Sequence, residues 1–176
     1  MALFNASRLA NLSGAALSVA GYRNQASGFD PRSGDGARRF GGRFNPPHSF
    51  PVIYLCTTRP CVVAELTRQA QRQSLSVEDL LPRELWRITV DLTKVLDLTN
   101  RDTLEALEVE ASDLVRDDLQ YTHEIGAAAH EHRFQAIRSA SATGVDDVVG
   151  IMPENLAGAV LLAELIQEWT TAAELR

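Results

Sequence analysis

Residues 33–47 read SGDGARRFGGRFNPP, and this glycine- and arginine-rich stretch decides how the rest of the chain is interpreted. We call it the glycine stretch. Its glycines, Gly41 and Gly42 among them, allow backbone amides to approach a ligand closely. Arg39 and Arg43 place positive charge beside those amides. The glycine stretch is therefore a candidate phosphate-binding segment, and the alternative is a surface loop with solvated arginines.

Two common nucleotide-binding motifs do not fit the glycine stretch. A P-loop requires Gly-Lys-Ser or Gly-Lys-Thr after the glycines, and neither is present. A dinucleotide fingerprint of the Rossmann kind requires a strand directly before the glycines and a helix directly after them, and the sequence predicts neither. A phosphate site in this stretch must therefore be built in another way.

The segments on either side of the glycine stretch predict an α+β fold. Periodicity and residue type predict strands over residues 16–25, 50–56, 85–92, 95–98, 134–139 and 145–152. Helices are predicted from Thr57 or Thr58 to Arg72, with Pro60 in the first turn, and over 103–107 and 121–133. Residues 28–45 are predicted to be a long loop. Residues 155–175 fit a strand followed by a helix or one long helix, and their Ala, Leu and Glu content favours the single helix. Because strands and helices do not alternate regularly, we expect one domain with a mixed β-sheet core and flanking helices.

Charge is divided unevenly along the 176 residues. The net charge of −6 argues against general nucleic-acid binding. Residues 1–72 carry nine arginines and three acids, whereas residues 73–176 carry eight basic residues and twenty acids. Arginine holds planar anions through paired hydrogen bonds. A positive N-terminal half without lysine therefore suits a small phosphate-bearing ligand; codon bias explains the excess of Arg over Lys but not this division.

Nothing in the sequence predicts a membrane, secretory or metal-binding role. No segment approaches the roughly 20 apolar residues needed to span a membrane. Residues 9–20 have a faint signal-peptide shape, but polar residues interrupt them and the preceding segment is nearly uncharged. Two cysteines, Cys56 and Cys61, cannot make a disulfide framework, and both lie in apolar surroundings, so we expect two buried, reduced thiols. Neither has a Cys or His nearby at ligand spacing, so no zinc site is expected. These features predict a cytoplasmic protein without a metal site.

The segment from Tyr22 to Glu65 resembles the RES domain, a family named for a recurrent Arg, Glu and Ser. The resemblance is carried by Tyr-Arg at 22–23, GARRFGGRFNPP at 36–47, VIYL at 52–55 and Ala-Glu at 64–65. Phe44 stands where the family usually has Trp. Weaker matches are VLDLT at 95–99, YTHEIG at 121–126, with His123 where Gln is common, and IRSA at 137–140. The match is clearest over 22–149, which predicts an N-terminal extension at 1–21 and a RES domain at 22–176.

The resemblance implies a toxin of a toxin–antitoxin pair with a fold like that of ADP-ribosyltransferases. Such toxins cleave the nicotinamide–ribose bond of NAD by phosphorolysis or hydrolysis, and some transfer ADP-ribose to a protein. NAD is then a substrate, inorganic phosphate is a candidate co-substrate, and no cofactor is expected. The implied partner is an Xre-type antitoxin that covers the active site in a hetero-oligomer. Direct binding to nucleic acid or a membrane is not expected.

The site residues follow from the resemblance, position by position. The catalytic candidates are Glu65, Arg23 and Tyr54, and the substrate-binding candidates are Arg43, Arg39, Gly41, Gly42 and Ser139. Ser141 competes with Ser139 for its role. A carboxylate bonded to the ribose hydroxyls would stabilise the oxocarbenium-like transition state. The tyrosine ring would stack on nicotinamide, and the arginines would hold the pyrophosphate or the attacking phosphate.

Without the resemblance, these residues have ordinary interpretations. Glu65 would be a solvated helix residue paired with Arg68, and Tyr54 would be a packing residue in an apolar strand. A ribonuclease toxin is an alternative, but it requires a His or Lys acid–base cluster. The chain has only Lys94 and four dispersed histidines. A non-catalytic interaction module that retains the fold is a further alternative.

Overall fold

One six-stranded sheet organises the chain, and the computed structural model describes all 176 residues. Its strands are β1 (Ala15–Gln25), β2 (Ile53–Cys56), β3 (Arg83–Asp97), β4 (Ala136–Ala140), β5 (Asp147–Ile151) and β6 (Leu162–Trp169). The α-helices are α1 (Asp35–Phe40), α2 (Arg59–Arg72), α3 (Arg101–Leu107) and α4 (Gln120–Glu131). The expected α+β class, a mixed sheet with flanking helices in one domain, is confirmed.

The sheet closes on itself through the long strand β3. Neighbouring strands follow the order β1-β2-β5-β4-β3, and β3 pairs again with β1, which completes a five-stranded ring. Only β3 and β4 run parallel; every other pair is antiparallel. Strand β6 pairs with the N-terminal part of β3, along the edge that β4 leaves free. The ring presents one end of β1 and β2 to helix α2, and this arrangement positions the site described below.

Strand β3 is a single strand where the sequence predicts two. The predicted break near Thr93 is an irregularity in the register, because Ala15 pairs with Val95 while Leu17 pairs with Leu92. The Gln135 side-chain oxygen accepts the backbone N–H groups of Thr93 and, one residue on, Lys94 (2.7 and 2.9 Å). The buried Gln135 side chain thus satisfies two backbone N–H groups at the point where the pairing of β3 with β1 is irregular. The apolar–polar alternation of the sequence is interrupted at this point, although the strand itself continues.

The helix favoured for residues 155–175 is wrong, because Leu162–Trp169 form strand β6. The free edge of β3 supplies backbone partners, and Trp169 is fully buried against the strand. Tertiary pairing therefore overrides the helical propensity of Ala, Leu and Glu. Leu162, Leu165 and Ile166 are exposed, so the apolar and polar residues do not alternate as they do in a half-buried strand.

The predicted loop over residues 28–45 contains a short helix, α1. Gly34 precedes it, and Gly41 ends it with a positive φ of 79°. None of the six helical residues is buried. A helix without an apolar face leaves no periodic signal in the sequence, which is why the pattern predicts only a loop there.

Helix α2 agrees with its prediction at both ends. The Thr58 side chain accepts the N–H of Cys61, Pro60 lies in the first turn and the helix ends at Arg72. The end of β2 and the start of α2 bring Cys56 and Cys61 together, and the structure joins them as a disulfide with Cα atoms 5.6 Å apart. Both residues are buried as predicted, but the expectation of two reduced thiols is wrong. The apolar sequence around the two cysteines does not indicate how close they lie in the fold.

The remaining predicted strands and helices lie within three residues of the observed ones. The largest hydrophobic cluster packs α4 against the sheet around Phe44 and Phe134, and it includes Phe4 and Leu9 from the N-terminal segment. The predicted boundary at residue 21 falls inside β1, and the division into extension and domain stays a prediction. None of the helices combines the length and apolar character needed to cross a membrane.

Candidate active site

A cleft of about 740 Å³ opens where β1, β2, α2 and the glycine stretch meet. Nearly all of its lining residues lie between residues 22 and 73; the exceptions are Leu119, His123 and Val148. The structure brings six of the eight predicted site residues to this cleft, namely Arg23, Gly41, Gly42, Arg43, Tyr54 and Glu65. Their predicted roles are considered below as proposals.

The hydroxyl of Tyr54 is engaged by the glycine stretch. It donates to the Asn45 side-chain oxygen (2.7 Å) and accepts the backbone N–H of Phe44 (2.9 Å). A Cβ at Gly42 would overlap the ring of Tyr54, so only glycine fits there. Burial raises the pKa of Tyr54 well above its ordinary value. The tyrosine therefore stays neutral and supports the glycine stretch, while its ring forms part of the cleft wall.

Arg43 extends from the glycine stretch to the segment at 114–116. Its Nη1 donates to the backbone carbonyls of Leu114 (2.9 Å) and Arg116 (3.0 Å). Burial, and secondarily the charge of Arg68, lowers the pKa of Arg43, while Glu65 opposes that shift. The two carbonyl contacts fix the plane of the guanidinium and leave its other nitrogen donors available to a ligand.

Arg23 is a largely buried guanidinium on β1 with no carboxylate in ion-pair contact. Its Nη1 donates to the carbonyls of Pro31 (3.1 Å) and Ser33 (3.4 Å), and its buried Nε has no partner. Burial lowers the pKa of Arg23, and Arg83 adds to the effect. A buried cation without an anionic partner is costly, so an anionic ligand in the cleft would stabilise this group.

Glu65 is oriented by a chain of hydroxyl groups. Its Oε1 accepts the hydroxyl of Ser141 (2.6 Å), which is 2% exposed. The only proton of Ser141 points to the carboxylate, so Thr143 must donate its own hydroxyl proton to Ser141 (2.6 Å). Thr143 in turn accepts the N–H of Val145 (3.2 Å). This ordered chain fixes one carboxylate oxygen and leaves the other available for a ligand hydroxyl.

Two predicted residues lie outside the cleft. Arg39 is exposed on α1, with its guanidinium 6.0 Å from the centre of the Phe40 ring. Ser139 is fully buried in β4, and its hydroxyl makes only a 3.4 Å contact with the next carbonyl. Of the two competing serines, the structure brings Ser141 to Glu65. The binding roles predicted for Arg39 and Ser139 stay predictions without a contact to support them.

Sequence reasoning missed several residues of the cleft. Arg68 and Arg72 lie three and seven positions after Glu65 on α2, a spacing that places all three on one helix face. Arg68 binds Asp117 (2.7 Å) rather than Glu65. His123 donates from Nε2 to the carbonyl of Gly42 (2.8 Å), since a carbonyl can only accept. The spacing along α2 could have indicated the arginines.

Comparison with known proteins identifies the class. Residues 19–172 match the RES domain, and the chain belongs to the RES domain family. Among its relatives are the NAD(+) phosphorylases MbcT of Mycobacterium bovis and Mycobacterium tuberculosis, each 39% identical over 130 residues, which are 73% of this chain and 70% of the relative. The crystal structure of the M. tuberculosis MbcT–MbcA toxin–antitoxin complex matches with a TM-score of 0.76 and 30% identity, over 92% of this chain and 91% of that chain. The predicted family is confirmed.

Proposed function

We propose that this protein is a toxin that depletes NAD by cleaving its nicotinamide–ribose bond, with inorganic phosphate as the acceptor. One observation carries the proposal: the cleft combines a single oriented carboxylate, Glu65, with the guanidinium groups of Arg23, Arg43, Arg68 and Arg72. NAD carries a pyrophosphate and a cationic nicotinamide riboside, so it needs both kinds of group. The names of the curated relatives support the same reaction.

Glu65 supplies the electrostatic part of the reaction. As nicotinamide leaves, positive charge develops on the ribose C1′ and ring oxygen. The carboxylate oxygen that Ser141 does not use binds the ribose hydroxyls and stabilises that charge. Nicotinamide takes the electron pair of the broken bond and becomes neutral, so it needs no general acid. The absence of a proton donor at Tyr54, whose hydroxyl proton is given to Asn45, is consistent with this chemistry.

The arginines bind and orient the anions. Arg23 and Arg43 have guanidinium donors free in the cleft after their carbonyl contacts are counted. Arg23 holds the pyrophosphate of NAD, which places C1′ beside Glu65, and Arg43 is shared between that pyrophosphate and the attacking phosphate. Fixing two reactants in this way can contribute several kcal/mol, about 7–11 at most, to lowering the barrier. The Tyr54 ring and the glycine stretch form the wall against which nicotinamide lies.

An antitoxin is the proposed partner. The cleft is open and positive, and a neighbouring solved structure is that of a toxin–antitoxin complex. A protein that inserts acidic groups among these arginines would block NAD. We propose an antitoxin of the Xre type, in a cytoplasmic hetero-oligomer with no direct contact of this chain to nucleic acid or membrane.

Transfer of ADP-ribose to a protein is the second candidate, favoured by the openness of the cleft to a large acceptor. The ribonuclease alternative lacks support in the geometry. His123 is the only histidine in the cleft, and its Nε2 is given to Gly42. His130 stacks on Phe50, 4.2 Å between ring centres, away from the cleft. The one carboxylate of the lining, Glu65, is bonded to Ser141, so neither it nor His123 is arranged as an acid–base pair.

Expression in bacteria tests the proposed function. Induction of the wild-type chain is expected to lower intracellular NAD before growth stops, and Glu65→Gln is expected to leave both unchanged. Co-expression of an Xre-type antitoxin encoded beside it should restore growth. Growth arrest with undiminished NAD and degraded RNA would contradict the proposal.

A further inference from the structure

Two arginines converge on one short segment at the rim of the cleft. Arg43 donates to the carbonyl of Arg116 (3.0 Å), and Arg68 donates from Nη2 to the carboxylate of Asp117 (2.7 Å). Residues 116 and 117 are neighbours in the chain, with Cα atoms about 3.8 Å apart. Both guanidinium groups also line the cleft. The charge of Arg68 also contributes to the lowered pKa of Arg43, so the two cations lie close enough to repel each other although they come from different parts of the fold.

Only one carboxylate is in ion-pair contact with this pair of arginines. Glu65 is held by Ser141, and the only carboxylate bound to either arginine is Asp117. The Asp117 side chain is 82% exposed, while that of Arg68 is 27% exposed. An exposed carboxylate contributes little as an ion-pair partner, because water and salt screen it. A dianion with several acceptor oxygens would bind the two guanidinium groups better than this single carboxylate.

The pair also lies at the correct place for an acceptor. Arg68 is one helical turn after Glu65 on α2, so their Cβ atoms are about 5–6 Å apart. In the proposed reaction, the ribose C1′ lies beside Glu65. Arg23, on strand β1, contacts the carbonyls of Pro31 and Ser33 instead of the segment at 116–117, and it remains available for the pyrophosphate.

We propose that Arg68 and Arg43 form the subsite for the attacking inorganic phosphate, and that Asp117 occupies Arg68 until phosphate displaces it. This inference rests on the proposed function. An oxygen of hydrogen phosphate forms the new bond to C1′ while the bond from C1′ to the nicotinamide nitrogen breaks. The electron pair of the broken bond leaves with nicotinamide and cancels its positive charge. Atoms and charge balance without a proton transfer, and the product is ADP-ribose 1″-phosphate.

Steady-state kinetics with the purified full chain test the subsite, with phosphate and NAD varied separately. Arg68→Gln is expected to raise the KM for phosphate by about tenfold or more, because a hydrogen-bonded charge is lost, and to leave the KM for NAD within about twofold. Asp117→Asn is expected to lower the KM for phosphate by about threefold, because a screened competing charge is removed.

Matched variants control for the loss of charge. The Arg116 side chain pairs with Asp113, so Arg116→Gln removes a nearby cation outside the cleft. Asp118 accepts the N–H of Gln120, so Asp118→Asn removes a carboxylate that does not contact Arg68. Both variants are expected to keep the KM for phosphate within about twofold of the wild type. Equal effects of Asp117→Asn and Asp118→Asn would overturn the proposed competition.

The outcomes separate this inference from the proposed function. If the wild type does not consume NAD in phosphate, the proposed function fails. If it does, but Arg68→Gln leaves the KM for phosphate unchanged, only the subsite fails. An increase in the KM for NAD alone would place the dinucleotide pyrophosphate at the pair and would also overturn the inference. If Arg68→Gln does not fold, Asp117→Asn decides: stronger thermal stabilisation by inorganic phosphate than in the wild type is expected, and equal stabilisation overturns the proposal.

Discussion

The first 72 residues carry nine arginines against three acids, whereas the rest of the chain carries eight basic residues against twenty acids. The two regions also contribute different parts of the structure. The N-terminal region supplies almost the whole lining of the cleft. The C-terminal region completes the sheet and contributes the groups that orient the lining: the Leu114 and Arg116 carbonyls and the Ser141 hydroxyl.

This difference shows that the net charge of −6 describes neither region. Positive charge is concentrated where an anionic ligand would bind, and most of the acidic residues lie in the C-terminal region. Such a division attracts a small anion to the cleft while the overall charge disfavours long polyanions. The functional character of the chain is therefore local, and the following experiments test whether the two regions contribute in the ways described.

The largest effect is expected at the one acid within the arginine-rich lining. Glu65→Gln keeps the shape of the side chain but removes the charge that meets the transition state, so turnover should fall about 10²–10³-fold. NAD affinity should change little, because the charge matters mainly in the transition state. Turnover, NAD binding and melting temperature are measured together. The control is Glu131→Gln, an exposed acid of the C-terminal region, and equal activity of the two variants would remove Glu65 from the mechanism.

The next effect concerns the arginine that links the two regions. Arg43→Ala removes a charged donor to the ligand and leaves two carbonyls without their partner, so NAD binding should weaken about tenfold or more. Turnover should fall as well, but the loss of NAD affinity distinguishes this variant from Glu65→Gln. Calorimetry with NAD measures the affinity. Arg101→Ala, at a solvated arginine of α3, serves as the control, and tight NAD binding by Arg43→Ala would contradict the assignment.

A smaller effect is expected where the C-terminal region orients the N-terminal one. Ser141→Ala releases Glu65 from its hydroxyl partner, so turnover should fall about tenfold, within the range for loss of a hydrogen bond to a charged group. The KM for NAD should stay nearly constant, and Ser141→Thr should restore part of the turnover. Ser139→Ala, at the other candidate serine, should affect melting temperature more than kinetics. The reverse result would favour Ser139 in the site.

The smallest expected effect is on the salt dependence of NAD affinity, which distinguishes the charge of the cleft from the charge of the rest of the surface. Raising the salt concentration should weaken NAD binding by a few fold, since salt screens the partly exposed arginines. Neutralising a distant acid, as in Glu105→Gln, should leave both the affinity and its salt dependence unchanged within error. NAD titrations at several salt concentrations provide the test. If Glu105→Gln changed NAD affinity as much as the raised salt concentration does, the net charge of the protein, and not the cleft, would govern NAD binding.

Much of this account follows from local sequence signals. The Thr58 cap and Pro60 predict where α2 begins, and the glycine stretch predicts a close approach of backbone to ligand. The contacts between distant segments could not be predicted, because Ser141 reaches Glu65 only after the sheet closes. Strand β6 was missed because its exposed apolar residues hide the alternation and the free edge of β3 determines its conformation. Nor could the spacing show that Arg68 turns to Asp117.

The most direct test of the central claim is product identification with purified wild-type protein, NAD and inorganic phosphate. Phosphorus and proton NMR would follow both products without a coupled assay. We expect nicotinamide and ADP-ribose 1″-phosphate to appear together in equal amounts, at a rate that depends on phosphate. NAD that remains intact with phosphate, with water alone and with a protein acceptor would contradict the account.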